Sequence, residues 1–487
     1  MEARKLAQNT GIVVQIAVGG TRKRESLMQM HREGCDVLVA TPGRLHDLLS
    51  DPDAGVAAPK LQAFVLDEAD RMLDVGFSDA IRDIMDYLPS RTEVERQTLL
   101  FSATIPRNVI HLAKSMVRPD NFEFVQTIKP DEVATHERVP QHLVKLEGLE
   151  NAFPAIMEIA ERAQKEGSEM PFKAIVFFSN TASVQFASEV FRGTPLRRSG
   201  INIYEIHSKL SQGQRTRAAE SFRRARSAIL FSSDVTARGM DFPNVTDVIQ
   251  VGLPPDRDQY IHRVGRTGRA GNSGNGWLLI AEEELPEARE RLTGLPIKPT
   301  TVIESAQHRE GDDTSPSPQI APYFEQIKDA YASLPKDLFN KVYMAYLGQK
   351  FGRNFRAIDA VNIMNRWALD GMGWTETPRV PARIAQLRGL TGVHGVTIGH
   401  SRDHEDSGEF GSRSDFSRGG RGGSFGRGDR FGDRFGDRFD SRRPAGGGHQ
   451  DRFGGGRGGF RNGGSSDRDF RRGRSRDGGS GYSNSSF

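Results

Sequence analysis

Between Gly11 and Val125 the chain repeats one pattern: a short apolar run, then a stretch with helical spacing of apolar positions. The runs are GIVVQIAV, CDVLVA, LQAFVL, TLLF and FEFV. Strands separated by helix-length segments predict crossover connections and a mostly parallel sheet, an α/β fold. A polar stretch from Thr127 to Pro140, TIKPDEVATHERVP, has little periodicity and reads as a linker. The pattern then restarts with KAIVFF, INIYEI, SAILFS, VTDVIQVG and NGWLLIA, spaced by segments such as TASVQFASEVFR, so a second α/β domain is expected. After the loop HREGDDTSPSPQ the periodicity becomes helical, with Ile327, Ala330, Tyr331 and Leu334 on one face. The expected divisions are residues 1–126, a linker at 127–140, a second domain at 141–294, a helical extension at 295–400 and a tail at 401–487.

The tail has no apolar periodicity and is built from Gly, Arg, Ser, Asp and Phe, which cannot form a packed core and is expected to be disordered. DRFG begins at Asp429, Asp433 and Asp451, and RGG at Arg418, Arg421 and Arg457. Its basic side chains include no lysine; arginine both stacks on bases and forks onto phosphates, which points to RNA. A formal net charge of +4 agrees with a polyanionic partner but does not by itself require one. The single cysteine, Cys35, excludes an intramolecular disulfide framework and a cysteine-built zinc site, and no run of about 18 apolar residues offers a membrane span.

The chemistry concentrates at the end of LQAFVL. Leu61, Ala63, Phe64, Val65 and Leu66 read as a short buried strand, and its C-terminal end, where open α/β sheets place ligands, carries Asp67, Glu68 and Asp70. Crowded carboxylates repel unless a cation or hydrogen bonds hold them, so the placement suggests Mg²⁺ and its phosphates. Read in order, Asp67-Glu68-Ala69-Asp70, Ser102-Ala103-Thr104 after TLLF, and HRVGRTGR at His262 to Arg269 resemble the signatures of the DEAD-box RNA helicases.

The resemblance implies two RecA-like parallel-sheet domains, the first incomplete, that clamp ATP and single-stranded RNA. By it, Asp67 would hold Mg²⁺ through water and Glu68 would deprotonate the attacking water. Ser102 and Thr104 would couple the Asp67–Asp70 segment to domain closure. Arg266 and Arg269, expected on one helical turn, would act as arginine fingers, with His262 and Arg263 bridging to neighbouring motifs. Within SSDVTARGMD, Asp241 would contact the ATP ribose, and Arg238 and Gly239 would face nucleotide and RNA; Ser233 and Thr236 depart from the family's usual residues. Gly19, Gly20, Thr41, Pro42, Gly43, Arg44, Gln212 and Arg215 would contact the RNA backbone and so read little sequence. The segment WALDGMGW, Trp367 to Trp374, with RVPARIAQLRGL and the tail, resembles fungal mitochondrial members that act as RNA chaperones; Trp367 is expected in the core.

No GxxxxGK[ST] phosphate loop occurs, nor any Gly-Lys dipeptide. The expectation is therefore a chain that begins part-way through its first domain, binds Mg·ATP poorly and leaves sheet edges unpaired. The function expected is an ATP-dependent RNA helicase or chaperone; the alternative is an RNA-binding protein without ATP use. The expected partner is single-stranded and structured RNA, with no membrane and a monomeric state. The expected compartment is the mitochondrial matrix, with nucleus, nucleolus or cytoplasm as alternatives.

Overall fold

The computed structural model describes residues 2–74, 76–90, 93–118, 121–127, 138–165, 170–237, 239–269, 271–309, 315–349 and 352–399. The arginine-glycine tail and most of the expected linker lie outside the described residues.

The first domain runs α1 (Glu2–Leu6), β1 (Val14–Ala17), α2 (Lys23–Glu33), β2 (Val37–Ala40), α3 (Pro42–Leu49), β3 (Ala63–Leu66), α4 (Ala69–Asp74), α5 (Ser78–Tyr87), β4 (Gln97–Leu100) and α6 (Arg107–Met116). Its strands pair in parallel as expected, but in two separate two-stranded sheets, β1–β2 and β3–β4. FEFV is not a strand: Phe122, Phe124 and Val125 are 63%, 64% and 68% exposed. The reason is partnership, since an extended segment needs a neighbour to accept its hydrogen bonds. The same open edges correct the expectation for LQAFVL, where Leu66 is buried but Val65 is half exposed.

The second domain forms one continuous sheet. It comprises β5 (Gln141–Leu146), α7 (Ala152–Lys165), β6 (Lys173–Phe178), α8 (Thr181–Gly193), β7 (Asn202–Ile206), α9 (Gln212–Arg224), β8 (Ala228–Ser232), β9 (Asp247–Val251), α10 (Arg257–Val264), β10 (Asn275–Ala281), α11 (Leu285–Arg291) and β11 (Ile297–Thr300). All seven strands are parallel in the order β11-β5-β10-β9-β6-β8-β7. The interior strands β6, β8 and β9 are buried along their whole length, which is why they read as unbroken apolar runs. Pro299 sits in β11 at the sheet margin, where a missing N–H is tolerated.

The extension continues as α12 (Ala321–Ala332), α13 (Lys336–Leu347), α14 (Ala357–Arg366), one π-helical turn (Trp367–Gly371), β12 (Arg379–Pro381), α15 (Ala382–Leu387) and β13 (Thr397–Gly399). It shares one core with the second domain, because Ile327, Tyr331, Phe339, Val361 and Trp367 pack with Phe153, Phe186 and Phe191 from α7 and α8. Trp367 is 3% exposed, so its expected core placement holds. Polar staples reinforce the junction. Arg366 reaches Glu150 at 3.0 Å, and the Tyr323 hydroxyl donates to Glu161 at 2.7 Å. Both Glu158 oxygens accept from the Glu304–Ser305 backbone, at 3.1 and 2.9 Å.

Glu284 is the costliest of these groups. It accepts from the Ala281 N–H at 3.0 Å, from Leu253 N–H at 3.4 Å and from the Tyr346 hydroxyl of the extension at 3.3 Å. Burial outweighs these bonds and pushes its carboxyl up from the ordinary 4.5 to about 7, with neighbouring Glu283 adding to the rise. A folded-state value above the unfolded one means stability is full below pH 4.5 and is lost as pH rises through about 7. The span corresponds to roughly 3 kcal/mol. Glu284→Gln is therefore expected to be more stable than the parent above about pH 8 and to lose this pH dependence, as measured by denaturant unfolding at acid and alkaline pH.

Candidate nucleotide and RNA site

At the end of β3 the chain turns sharply. Glu68 has φ 55°, one of three non-glycine residues with positive φ among those described, and Asp67 Oδ1 accepts the Glu68 N–H at 3.0 Å. An L-residue in the left-handed region costs about 1–2 kcal/mol, and such strain clusters at functional sites. Asp67 is exposed, while Asp70 is buried. Asp70 is held from three sides: Thr104 Oγ1 donates to its Oδ2 at 2.9 Å, its own N–H donates to Ser102 Oγ at 3.3 Å, and its Oδ1 accepts from Arg71 N–H at 2.9 Å. Ser102 Oγ in turn donates to the Thr104 carbonyl at 2.6 Å. Helix α6 starts after Pro106 with no side-chain cap, so these hydroxyls serve the carboxylate segment rather than the helix.

The second domain meets this segment through His262, whose buried ring places Nε2 3.6 Å from Asp70 Oδ2. Arg263, one position on, is fully buried. Its Nε donates to Asp234 Oδ1 at 2.7 Å, its Nη1 to Gln250 at 3.3 Å, and its guanidinium lies 5.5 Å from the Phe177 ring centroid. A buried charge paired with a carboxylate in this way is a positioning element, although its Nη2 is left without a hydrogen-bond partner among the described residues. Asp234, which also accepts from Gln259 at 2.7 Å, was not singled out in the sequence. The signal for it was an acid in SSDVTARGMD with no role of its own.

Arg266 and Arg269 do not share a helical turn, because α10 ends at Val264 and both lie in the turn that follows. Gly265 caps the helix, and further on Gly268 has φ +65°, with a β-carbon there lying 2.5 Å from Val139. Arg266 donates to the carbonyls of His262 and Met240, and Arg269 to Gly265 at 2.7 Å and to Asp241 Oδ1 at 3.0 Å. Arg223 then forks onto the Asp241 carbonyl at 3.1 and 3.2 Å. Gly239 has φ 67°; Arg238 lies outside the described residues.

The residues expected to touch RNA gather from both domains. Thr41 N–H donates to the Ala17 carbonyl at 3.0 Å, which sets α3 beside the turn at Gly19 and Gly20. Arg44 Nη2 donates to the Thr21 carbonyl at 3.1 Å, closing the pair of loops. Helix α3 opens with Pro42 and has no side-chain cap, so the Gly43 and Arg44 N–H groups at its start suit an anion. A β-carbon on Gly20 would lie 4.0 Å from the Gln212 side chain, which places the start of α9 against the first domain. Arg215 donates to the carbonyls of Leu210 and Ser208, at 3.0 and 2.6 Å, and so shapes the loop ahead of α9.

Residues 1–112 match the DEAD/DEAH box helicase model and residues 155–271 the helicase conserved C-terminal domain. The mitochondrial ATP-dependent RNA helicase cyt-19 of Neurospora crassa is 49% identical over 86% of this chain and 67% of its own length. The chain belongs to the DEAD-box family of ATP-dependent RNA helicases. Mitochondrial mss116 of Aspergillus fumigatus is 45% identical over 86% of this chain and 65% of its own length. This DEAD-box chain thus spans about two thirds of the length of these curated relatives. A solved structure of Mss116p bound to ssRNA and AMP-PNP superposes with a TM-score of 0.67 at 26% identity, over 82% of this chain and 78% of that one. Among the described residues no helix is long and apolar enough to cross a membrane.

Proposed function

We propose that this DEAD-box chain acts as an RNA chaperone of the mitochondrial matrix, remodelling structured RNA by ATP-dependent closure of its two domains on a single strand. The observation that carries the reading is the Asp70 junction, where Thr104 and His262 meet one buried carboxylate from the two sides of the cleft while Ser102 accepts the N–H of the same residue. RNA at the Gly20–Gln212 contact and nucleotide at Asp67–Glu68 would then favour the same closed arrangement.

The oxygen donors fit Mg²⁺. Asp67 is an exposed carboxylate at a strand end, and among the described residues no cluster of three ligating side chains would hold a metal alone. That suits an ion carried largely by phosphates and water, which when bound neutralises the developing phosphate charge. Glu68 would take the proton of the attacking water on its carboxylate. Arg266 and Arg269 would place positive charge towards the γ-phosphate, and Asp241, steered by Arg223, would receive the ribose. Gly19, Gly20, Thr41, Pro42, Gly43, Arg44, Gln212, Arg215 and Gly239 would lie along the RNA backbone, so discrimination against DNA would rest on 2′-hydroxyls. The domain divisions given above belong to the same proposal, with the second domain carried on to Thr300 because β11 pairs with β5, as does a monomeric state.

Strand release tests it. A short labelled strand annealed beside a single-stranded extension should be released with ATP but not with ADP, by the chain as it stands or by one carrying a GxxxxGK[ST] loop ahead of Met1. If neither form releases the strand or hydrolyses ATP while both bind RNA, the rival reading of a non-catalytic RNA-binding protein replaces it.

A further inference from the structure

Around β7 and α9 the second domain carries five exposed arginines whose side chains have no hydrogen-bond or ion-pair partner among the described residues. Arg217 and Arg224 lie on α9, Arg226 follows it, and Arg197 and Arg198 precede β7. Asn202 at the start of β7 donates its N–H to the Ser227 carbonyl at 3.2 Å, so the loops bearing Arg197, Arg198 and Arg226 are neighbours. The other arginines nearby are spent inside the protein: Arg215 on Ser208 and Leu210, Arg223 on Asp241, and Arg192 on Glu205. Residues 193–206 contain one acid, Glu205, already paired with Arg192, and residues 212–232 contain one, Glu220. Neither neutralises the patch.

We infer that Arg197, Arg198, Arg224 and Arg226 form a second RNA-backbone site, at the N-terminal end of the β7–β8 pair. Helix α9 connects it to the strand-binding mouth: Gln212 opens the helix and Arg224 closes it, about 18 Å away at ~1.5 Å per residue. RNA that continues from the mouth along α9 for that distance would meet this surface. Three features favour phosphate over a protein partner. Every cation is arginine, whose planar fork matches phosphate oxygens. The large hydrophobics exposed among the described residues lie at Val125 and earlier or at Val302 and later, so no apolar anchor accompanies the charge. Nothing beside it is shaped to read a base edge, so it would grip structured RNA without regard to sequence.

This inference rests on the RNA-binding reading, and the test separates the two. The full chain and a variant carrying R197Q, R198Q, R224Q and R226Q are titrated against two labelled probes: a short oligouridylate that fills the mouth, and a stem-loop bearing the same single-stranded extension. The tail is present throughout. The variant should bind the oligouridylate as the parent does, bind the stem-loop about tenfold more weakly at moderate salt, and show a salt slope reduced by about three. A variant with lysine at all four positions should keep most of the slope. Unchanged stem-loop affinity and slope, or an equal loss on both probes, would overturn the second site. Failure of the parent to bind either probe would instead remove the RNA-binding reading.

Discussion

Glu68→Gln should reduce RNA-stimulated ATP hydrolysis by roughly 10²–10⁴-fold, the range associated with loss of a positioned general base. RNA binding should persist. The amide is isosteric with the carboxylate and keeps the turn, so the loss reports proton transfer rather than shape. The backbone at this position provides a control. Because Glu68 sits at φ 55°, Glu68→Gly relieves about 1 kcal/mol of left-handed strain and should leave the unfolding midpoint no lower while activity is equally lost. If both variants hydrolyse ATP at the parent rate in a chain that carries a phosphate loop, Glu68 is not the base.

Trp367→Ala should destabilise the second domain by about 3–5 kcal/mol, the cost of removing a large aromatic side chain from a packed interior. Its ring lies 5.5 Å from Phe153, 5.4 Å from Phe339 and 6.1 Å from Phe186, and its indole N–H faces the Tyr331 hydroxyl at 3.3 Å. These partners come from α7, α8, α12 and α13, so the second domain and the extension should unfold in one transition. Two separated transitions, with only the later residues affected, would show that the extension is an independent unit. Trp367→Phe should recover most of the loss while breaking the bond to Tyr331.

Five of the seven strands of the second domain are legible in the sequence. KAIVFF, SAILFS and VTDVIQVG are interior strands, so both faces are buried and the apolar run is continuous. β5 and β11 escaped notice because they lie towards one margin of the sheet, where QHLVKL and IKPT mix polar and apolar positions. In the first domain the runs were found but their burial was overestimated. Apolar character marks the wish to pair, whereas burial depends on what stands alongside, and β2 and β3 each have an open edge among the described residues.

For the site, the residue types and their order along the chain already implied a nucleotide and an RNA strand. Local chemistry decided that much, because carboxylates at a strand end and arginines beside glycines are short-range patterns. Contacts across long separations could not be read that way. Thr104 on Asp70, His262 against the same carboxylate, Arg263 consumed by Asp234, and Arg223 steering Asp241 all depend on where the sheets and helices come to rest. Which arginines are spent inside the fold and which remain free for phosphate was likewise a tertiary outcome, since the same side chain serves either purpose and only its neighbours choose between them.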